Sequence, residues 1–152
     1  DIESFSRKIK TASSAKVDPN FMVIARIESL ILEAGMDDAI NRAKAYVESG
    51  ADGIMIHSRN KLPDEVFIFS RLFRKIFPLV PLICIPTSYN QISEKELSEN
   101  GFNIVIYANH MLRAAYPAMK KVALKILENG RSKEANSDLQ PIKEILELIP
   151  GA

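Results

Sequence analysis

Four short apolar runs constrain this chain more than any other feature. Each is bounded by turn residues, and each is separated from the next by a stretch long enough to return as a helix. They are centred on Phe21-Met22-Val23-Ile24-Ala25, Gly53-Ile54-Met55-Ile56, Pro81-Leu82-Ile83-Cys84-Ile85 and Ile104-Val105-Ile106-Tyr107. Continuous apolar runs of this length read as fully buried strands of a parallel sheet, and parallel neighbours require crossover connections. The strands are expected over Met22–Arg26, Ile54–His57, Pro81–Pro86 and Asn103–Ala108.

The intervening segments carry helix signals. Ile2, Phe5 and Ile9 share one face of a helix expected over residues 2–15. Met36-Asp37-Asp38-Ala39 opens another, with Asp37 as N-cap and Gly50 as the left-handed residue after its end. Pro63-Asp64-Glu65 begins a third, with proline early and acids in the first turn. Ser93 and Glu96 have capping-box spacing, and Gly101 closes the short helix that follows. A long helix is expected from Leu112 to Asn129, then a polar linker over 131–140 and a last helix over Pro141–Leu148.

Repeated strand–helix units mean an α/β fold with a parallel sheet. An open doubly wound sheet and part of a (β/α)8 barrel both fit that pattern. No Gly-x-Gly-x-x-Gly or Walker loop follows any strand. Polar residues stand at the C-terminal end of all four: Arg26 and Glu28, His57 and Ser58, Thr87 and Ser88, Asn109 and His110. In barrels that rim builds the active site, so the barrel reading is preferred.

The bulk properties bound the function. With 152 residues and 47% hydrophobic content, the chain has enough apolar material for one core. A net charge of +1 and the absence of Trp give no footprint for nucleic acid, and no run approaches a membrane span. The single cysteine, Cys84, reads as a buried structural thiol in a reducing, cytoplasmic setting. The chain starts at Asp1 already in helical spacing and is expected to be a piece of a longer protein.

Arg26 and His57 are the residues that the apolar pattern explains least. A charge at the end of a core strand needs an anionic partner. Glu28, on the same side of the same strand, is one such partner; a substrate carboxylate or phosphoryl group is the other. His57 reads either as a core histidine bonded to a backbone carbonyl or as a second donor to the same anion. Thr87 and Ser88 fit turn chemistry. Asn109 and His110 fit capping or surface roles, and Arg113 sits awkwardly in a first helical turn. No His/Cys cluster or Ser-His-Asp set is evident, so no metal site is expected within this chain.

The segments Asp18–Ser29, Ala43–Ser58, Val80–Tyr89 and Ile104–Ala114 resemble, in order, four strand-end motifs of the phosphoenolpyruvate mutase family, in the isocitrate lyase/phosphoenolpyruvate mutase superfamily. The resemblance spans roughly residues 2–128. It implies the C-terminal half of a (β/α)8 TIM barrel, with four parallel strands and their helices over 1–130 and a linker with a C-terminal helix over 131–152. It implies interconversion of phosphoenolpyruvate and phosphonopyruvate in phosphonate biosynthesis, with Mg2+ as cofactor. Arg26 and His57 match the residues that contact the transferring phosphoryl group. Glu28, Ser58, Thr87 and Asn109 are weaker candidates for substrate contact.

The family's nucleophilic aspartate, metal ligands and lid have no counterpart in these residues, so the Mg2+ ligands are expected outside the chain and the fragment alone is expected to be inactive. The protein is expected to form a homo-oligomer, dimer or tetramer, with open strand edges as one route to association. Phosphonopyruvate hydrolase and related C–C lyases are the alternatives within the superfamily. Glu28 and the Pro86-Thr87 pair resemble the phosphonate enzymes more than the isocitrate lyases. An inactive binding or oligomerisation domain is the alternative from another class.

Overall fold

The computed structural model describes residues 1–148. The chain divides into two compact units, Asp1–Ala108 and Asn109 onward. The first begins with helix α1 (Ile2–Ser14), where the Asp1 carboxylate accepts the Ser4 N–H at 2.7 Å, a side-chain N-cap. Strand β1 (Ile24–Ile27), helix α2 (Gly35–Glu48), strand β2 (Gly53–Ile56), helix α3 (Asp64–Ile76), strand β3 (Leu82–Cys84), helix α4 (Glu94–Glu99) and strand β4 (Ile104–Val105) follow.

The sheet order is β1-β2-β3-β4, and every neighbouring pair is parallel. Sequential order without a reversal has no topological switch point. It is the winding of a barrel segment rather than of a doubly wound sheet. Alternation along each strand sends Ala25, Ile27, Ile54, Ile56, Leu82 and Cys84 into one core with Ile9 of α1, Ala43 of α2, Phe69 and Phe73 of α3, and Leu97 of α4. The other face carries the row Arg26, Met55, Ile83 and Ile104.

On that face Ile83 of β3 is buried, but β1 departs from the first expectation. β1 is not buried on both faces. Arg26 is an exposed residue, and Phe21 and Met22 lie before the strand and are exposed. Its apolar run reads as buried, yet only the positions facing the helices are. β3 and β4 are also shorter than the apolar runs: after Cys84 the chain enters a turn at Pro86, and beyond Val105 the Ile106 N–H still donates to the Cys84 carbonyl at 3.0 Å although the strand has ended. Helix α2 starts earlier than expected, after Ala34, so Asp37 is a first-turn residue and not the N-cap.

Other local signals hold. Ser93 and Glu96 form a reciprocal capping box. Gly50 has φ +100°, the left-handed conformation that follows α2. Gly53 is needed for close approach: a Cβ there would meet Ile24 Cδ1 at 2.8 Å and the Pro81 carbonyl oxygen at 3.0 Å. Arg74 of α3 was not anticipated as a structural residue. Its guanidinium donates to the Gly101 carbonyl at 2.9 Å and the Val80 carbonyl at 2.7 Å, tying α3 to the segments before β3 and β4.

The second unit contains α5 (His110–Asn129), a 3-10 helix (Lys133–Asp138) and α6 (Ile142–Glu147). Gly130 ends α5 with φ +60°. The stretch read as a polar linker is structured. Ala135 is buried, and Asp138 takes Lys121 and Lys125 of α5, each at 2.6 Å. Two ion pairs on one carboxylate fix the 3-10 turn where composition alone reads as loop.

At the N-terminal ends of the strands, Asp52 joins three segments. It accepts from Lys16 Nζ at 2.8 Å and from the Val23 N–H at 2.7 Å, and its own N–H donates to the Val23 carbonyl. The Lys16 hydrogen bond, then the Val23 amide, hold its carboxyl below the usual carboxylate value. A carboxyl depressed in the folded state stabilises at pH above its unfolded value, and that contribution is lost as pH falls through the folded value. Asp52→Asn is therefore expected to cost about 1–3 kcal/mol at neutral pH. In urea titrations the deficit relative to wild type should shrink once the pH drops below the ordinary 3.8. A deficit that stays constant into acid would contradict this role.

Candidate active site

Register and alternation build the site. Ile27 of β1 pairs with Ile56 of β2. One residue further along each chain, Glu28 and His57 stand side by side, on the face that also carries Arg26. The Arg26 Nε–H donates to Glu28 Oε1. Arg26 Nη2 lies 2.6 Å from His57 Nδ1, and Glu28 Oε2 lies 3.5 Å from the same nitrogen.

These contacts fix a proton. A guanidinium only donates, so His57 Nδ1 must be the acceptor. The neutral ring then carries its hydrogen on Nε2, the tautomer assigned by its partner. Two of the five guanidinium N–H groups are engaged, by Glu28 and His57, and among the described residues the other three have no partner. The side chains are 46% (Arg26), 37% (Glu28) and 23% (His57) exposed. The cluster thus offers an incoming anion a pre-aimed cation and a ring N–H. A cavity of about 370 Å³ lies beside it, lined by Arg26, Glu28, Ser29, Asp38, Arg42 and Tyr46 among others.

Behind the cluster, two buried serines tie the strand ends to helices. Ser29 Oγ donates to Asp38 Oδ2 at 2.6 Å, and Arg42 Nε meets the same oxygen at 2.7 Å. The Arg42 hydrogen bond, then that of Ser29, hold the Asp38 carboxyl below its ordinary value. Ser58 Oγ donates to Glu65 Oε1 and accepts the Asn60 N–H at 2.9 Å. Asp38 and Glu65 both lie in the first turn of the helix that follows their strand. The sequence marked these acids as first-turn residues. It gave no sign that each would take a serine hydroxyl, because both partners belong to loops of irregular geometry.

The remaining predicted residues are placed as follows. Thr87 and Ser88 are partly buried in the turn after β3, where the Thr87 N–H donates to the Ile85 carbonyl at 2.8 Å. Asn109 belongs to the second unit, as the N-cap of α5, and its carbonyl accepts the Arg113 N–H at 2.9 Å. His110 is the first residue of that helix. The structure brings Arg26, Glu28 and His57 into contact, with Ser58 directly behind. Cys84 is buried, and burial pushes its thiol up to about 12, so it stays protonated and is no nucleophile. Among the described residues, no group of three His, Cys, Asp or Glu side chains stands together to hold a metal ion. Glu28 alone, already shared with Arg26, does not make a magnesium site.

The phosphoenolpyruvate phosphomutase family model matches residues 1–127. The chain is 44% identical over 149 residues to a phosphonopyruvate hydrolase of Variovorax sp. (strain Pal2), covering 97% of this chain and 50% of that protein. A phosphoenolpyruvate phosphomutase structure from Streptomyces platensis subsp. rosaceus matches with a TM-score of 0.87 at 36% identity, over 97% of this chain and 50% of that one. A phosphonopyruvate hydrolase solved in complex with oxalate and Mg++ matches with a TM-score of 0.85 at 42% identity, over 97% of this chain and 52% of that one. The chain spans about half the length of the curated relatives it matches. Its α/β fold of four parallel strands corresponds to half of a TIM-barrel enzyme.

Exposed ion pairs contribute little to stability, about 0–1 kcal/mol. Arg26→Ala is therefore expected to leave thermal unfolding almost unchanged. A loss of several kcal/mol would mean that the arginine serves the fold instead.

Proposed function

Because the chain belongs to the phosphoenolpyruvate phosphomutase family, within the isocitrate lyase/phosphoenolpyruvate mutase superfamily, we propose that the protein carrying it acts on phosphonopyruvate and moves its phosphoryl group off carbon. The observation that carries this reading is the Arg26–Glu28–His57 cluster at the C-terminal ends of β1 and β2. Arg26 binds phosphoryl oxygens through its free N–H groups, and His57 donates from Nε2. Glu28 holds the guanidinium in place between turnovers. A transferring phosphoryl group is metaphosphate-like, with charge spread over its oxygens, so fixed donors are the main help that side chains give.

Two fates follow for the phosphoryl group. If the bond from phosphorus to carbon breaks and a bond to the enolate oxygen forms, the product is phosphoenolpyruvate, the mutase reaction expected from the sequence. If water takes the phosphoryl group, the products are pyruvate and phosphate. The higher identity to the hydrolase structure, 42% against 36%, favours the second. Thr87 and Asn109 remain candidates for substrate contact in either case. One structural relative carries Mg++. We propose Mg2+ for this protein too, with ligands outside these 152 residues, since no side chains among the described residues build that site.

A homo-oligomer is proposed as the working assembly. Met111, Leu112, Tyr116, Met119 and Leu127 of α5 are large, apolar and exposed, and so are Ile142 and Leu146 of α6. These exposed apolar side chains support that reading. Light scattering is expected to give a multiple of the protomer mass, and Leu112→Glu with Leu127→Glu to lower it. A strictly monomeric wild type at high concentration would count against the assembly. No helix among the described residues is long and apolar enough to cross a membrane.

Phosphorus NMR of the intact protein with phosphonopyruvate and Mg2+ tests the activity. Appearance of phosphoenolpyruvate identifies a mutase, and appearance of inorganic phosphate a hydrolase. An unchanged spectrum would leave only the binding role. Arg26→Ala is expected to cut turnover by roughly a hundredfold or more, and wild-type turnover in that variant would remove Arg26 from the site.

A further inference from the structure

Glu28 and His57 share an unusual position. Each lies one residue beyond the last ladder pair, Ile27 with Ile56, so no pairing between β1 and β2 fixes their backbone. The next residue in each chain is a buried serine, Ser29 at 2% and Ser58 at 1% exposure. Each serine hydroxyl donates to a carboxylate in the first turn of the following helix, Asp38 or Glu65. The same device thus occurs twice, on adjacent strands and at equivalent places. Backbone donors reinforce it: the Leu32 N–H donates to the Glu28 carbonyl at 2.9 Å, and the Asn60 N–H donates to the Ser58 hydroxyl oxygen at 2.9 Å.

We propose that Ser58, through Glu65, is a positioning residue for His57, and that Ser29, through Asp38, does the same for Glu28. A side chain beyond the ladder points wherever its backbone dihedrals send it. Anchoring the next residue to a helix removes that freedom. The anchored His57 keeps Nδ1 at the Arg26 guanidinium and Nε2–H free. This assigns Ser58 a role behind the site rather than contact with substrate. It also explains why a fully buried hydroxyl is kept there: a buried hydroxyl without a partner costs about 1–3 kcal/mol, and Glu65 supplies the partner.

The proposal deepens the phosphonopyruvate reading and rests on it for the activity part of the test alone. The direct readout is the imidazole nitrogen-15 spectrum of His57 in the intact protein, at a pH where the ring is neutral. Wild type is expected to show one tautomer, with Nδ1 as acceptor and Nε2 protonated. Ser58→Ala is expected to give averaged tautomer signals, with kcat on phosphonopyruvate reduced roughly tenfold to a hundredfold and KM little changed. Glu65→Ala should reproduce both effects, and it decides the matter if Ser58→Ala does not fold. Glu65→Gln retains a carbonyl acceptor for the serine and should retain the single tautomer. A single tautomer preserved in both alanine variants would overturn the proposal, as would averaged signals with unchanged kcat or a wild type that shows no preferred tautomer. A protein that does not turn over phosphonopyruvate would refute the functional reading, and the tautomer comparison would still decide the positioning role.

Discussion

The parallel register that sets Ile27 beside Ile56 determines everything chemically interesting in this chain. It brings Glu28 next to His57 and leaves Arg26 two residues back on the same face, within reach of both. A one-residue slip of β1 would send Arg26 and Glu28 to the opposite face, away from His57, and bury a guanidinium among Ile54, Phe69 and Leu82. The register is secured at the other end of the strands. There Gly53 admits close approach to Ile24 and Pro81, and Asp52 gathers Lys16 and Val23. Structural residues cluster at the N-terminal ends of the strands and the anion-binding candidates at the C-terminal ends, the division of labour that barrels use.

The electrostatics of the cluster are those that the proposed anion site requires. Arg26 has a single carboxylate neighbour and N–H groups to spare, in a partly exposed setting where an ion pair adds little stability. A structural arginine looks different, and Arg74 provides the contrast within the same unit. Its guanidinium donates to the backbone carbonyls of Gly101, Val80 and Pro78 and to the Asn103 side-chain oxygen.

Much of the fold was legible because local signals and the global arrangement agree. The apolar runs located four parallel strands, the Ser93–Glu96 capping box and Gly50 marked helix ends, and the polar strand ends pointed to one rim. The misreadings have physical causes. Arg26 was expected in a strand buried on both faces, because a run of apolar residues does not say which faces are covered. Asp37 looked like an N-cap because the irregular turn from Ser29 to Ala34 cannot be read from spacing. The stretch 131–140 looked like a linker because its order comes from Asp138 meeting Lys121 and Lys125, a contact distant in sequence. The contact between Arg26 and His57 joins residues on different strands, so the sequence proposed the two candidates and only the structure showed them touching. Ser29 and Ser58 escaped notice as support because a serine after a strand has many uses.

The most direct test is a crystal structure of the intact protein with a non-reacting phosphonate analogue of the substrate. The expected result places phosphonate oxygens within hydrogen-bond distance, about 2.7–3.2 Å, of the Arg26 guanidinium and His57 Nε2, with the Nδ1 contact to Arg26 retained. An analogue bound elsewhere, with Arg26 still engaged only by Glu28 and His57, would contradict the assignment of this cluster as the phosphoryl site.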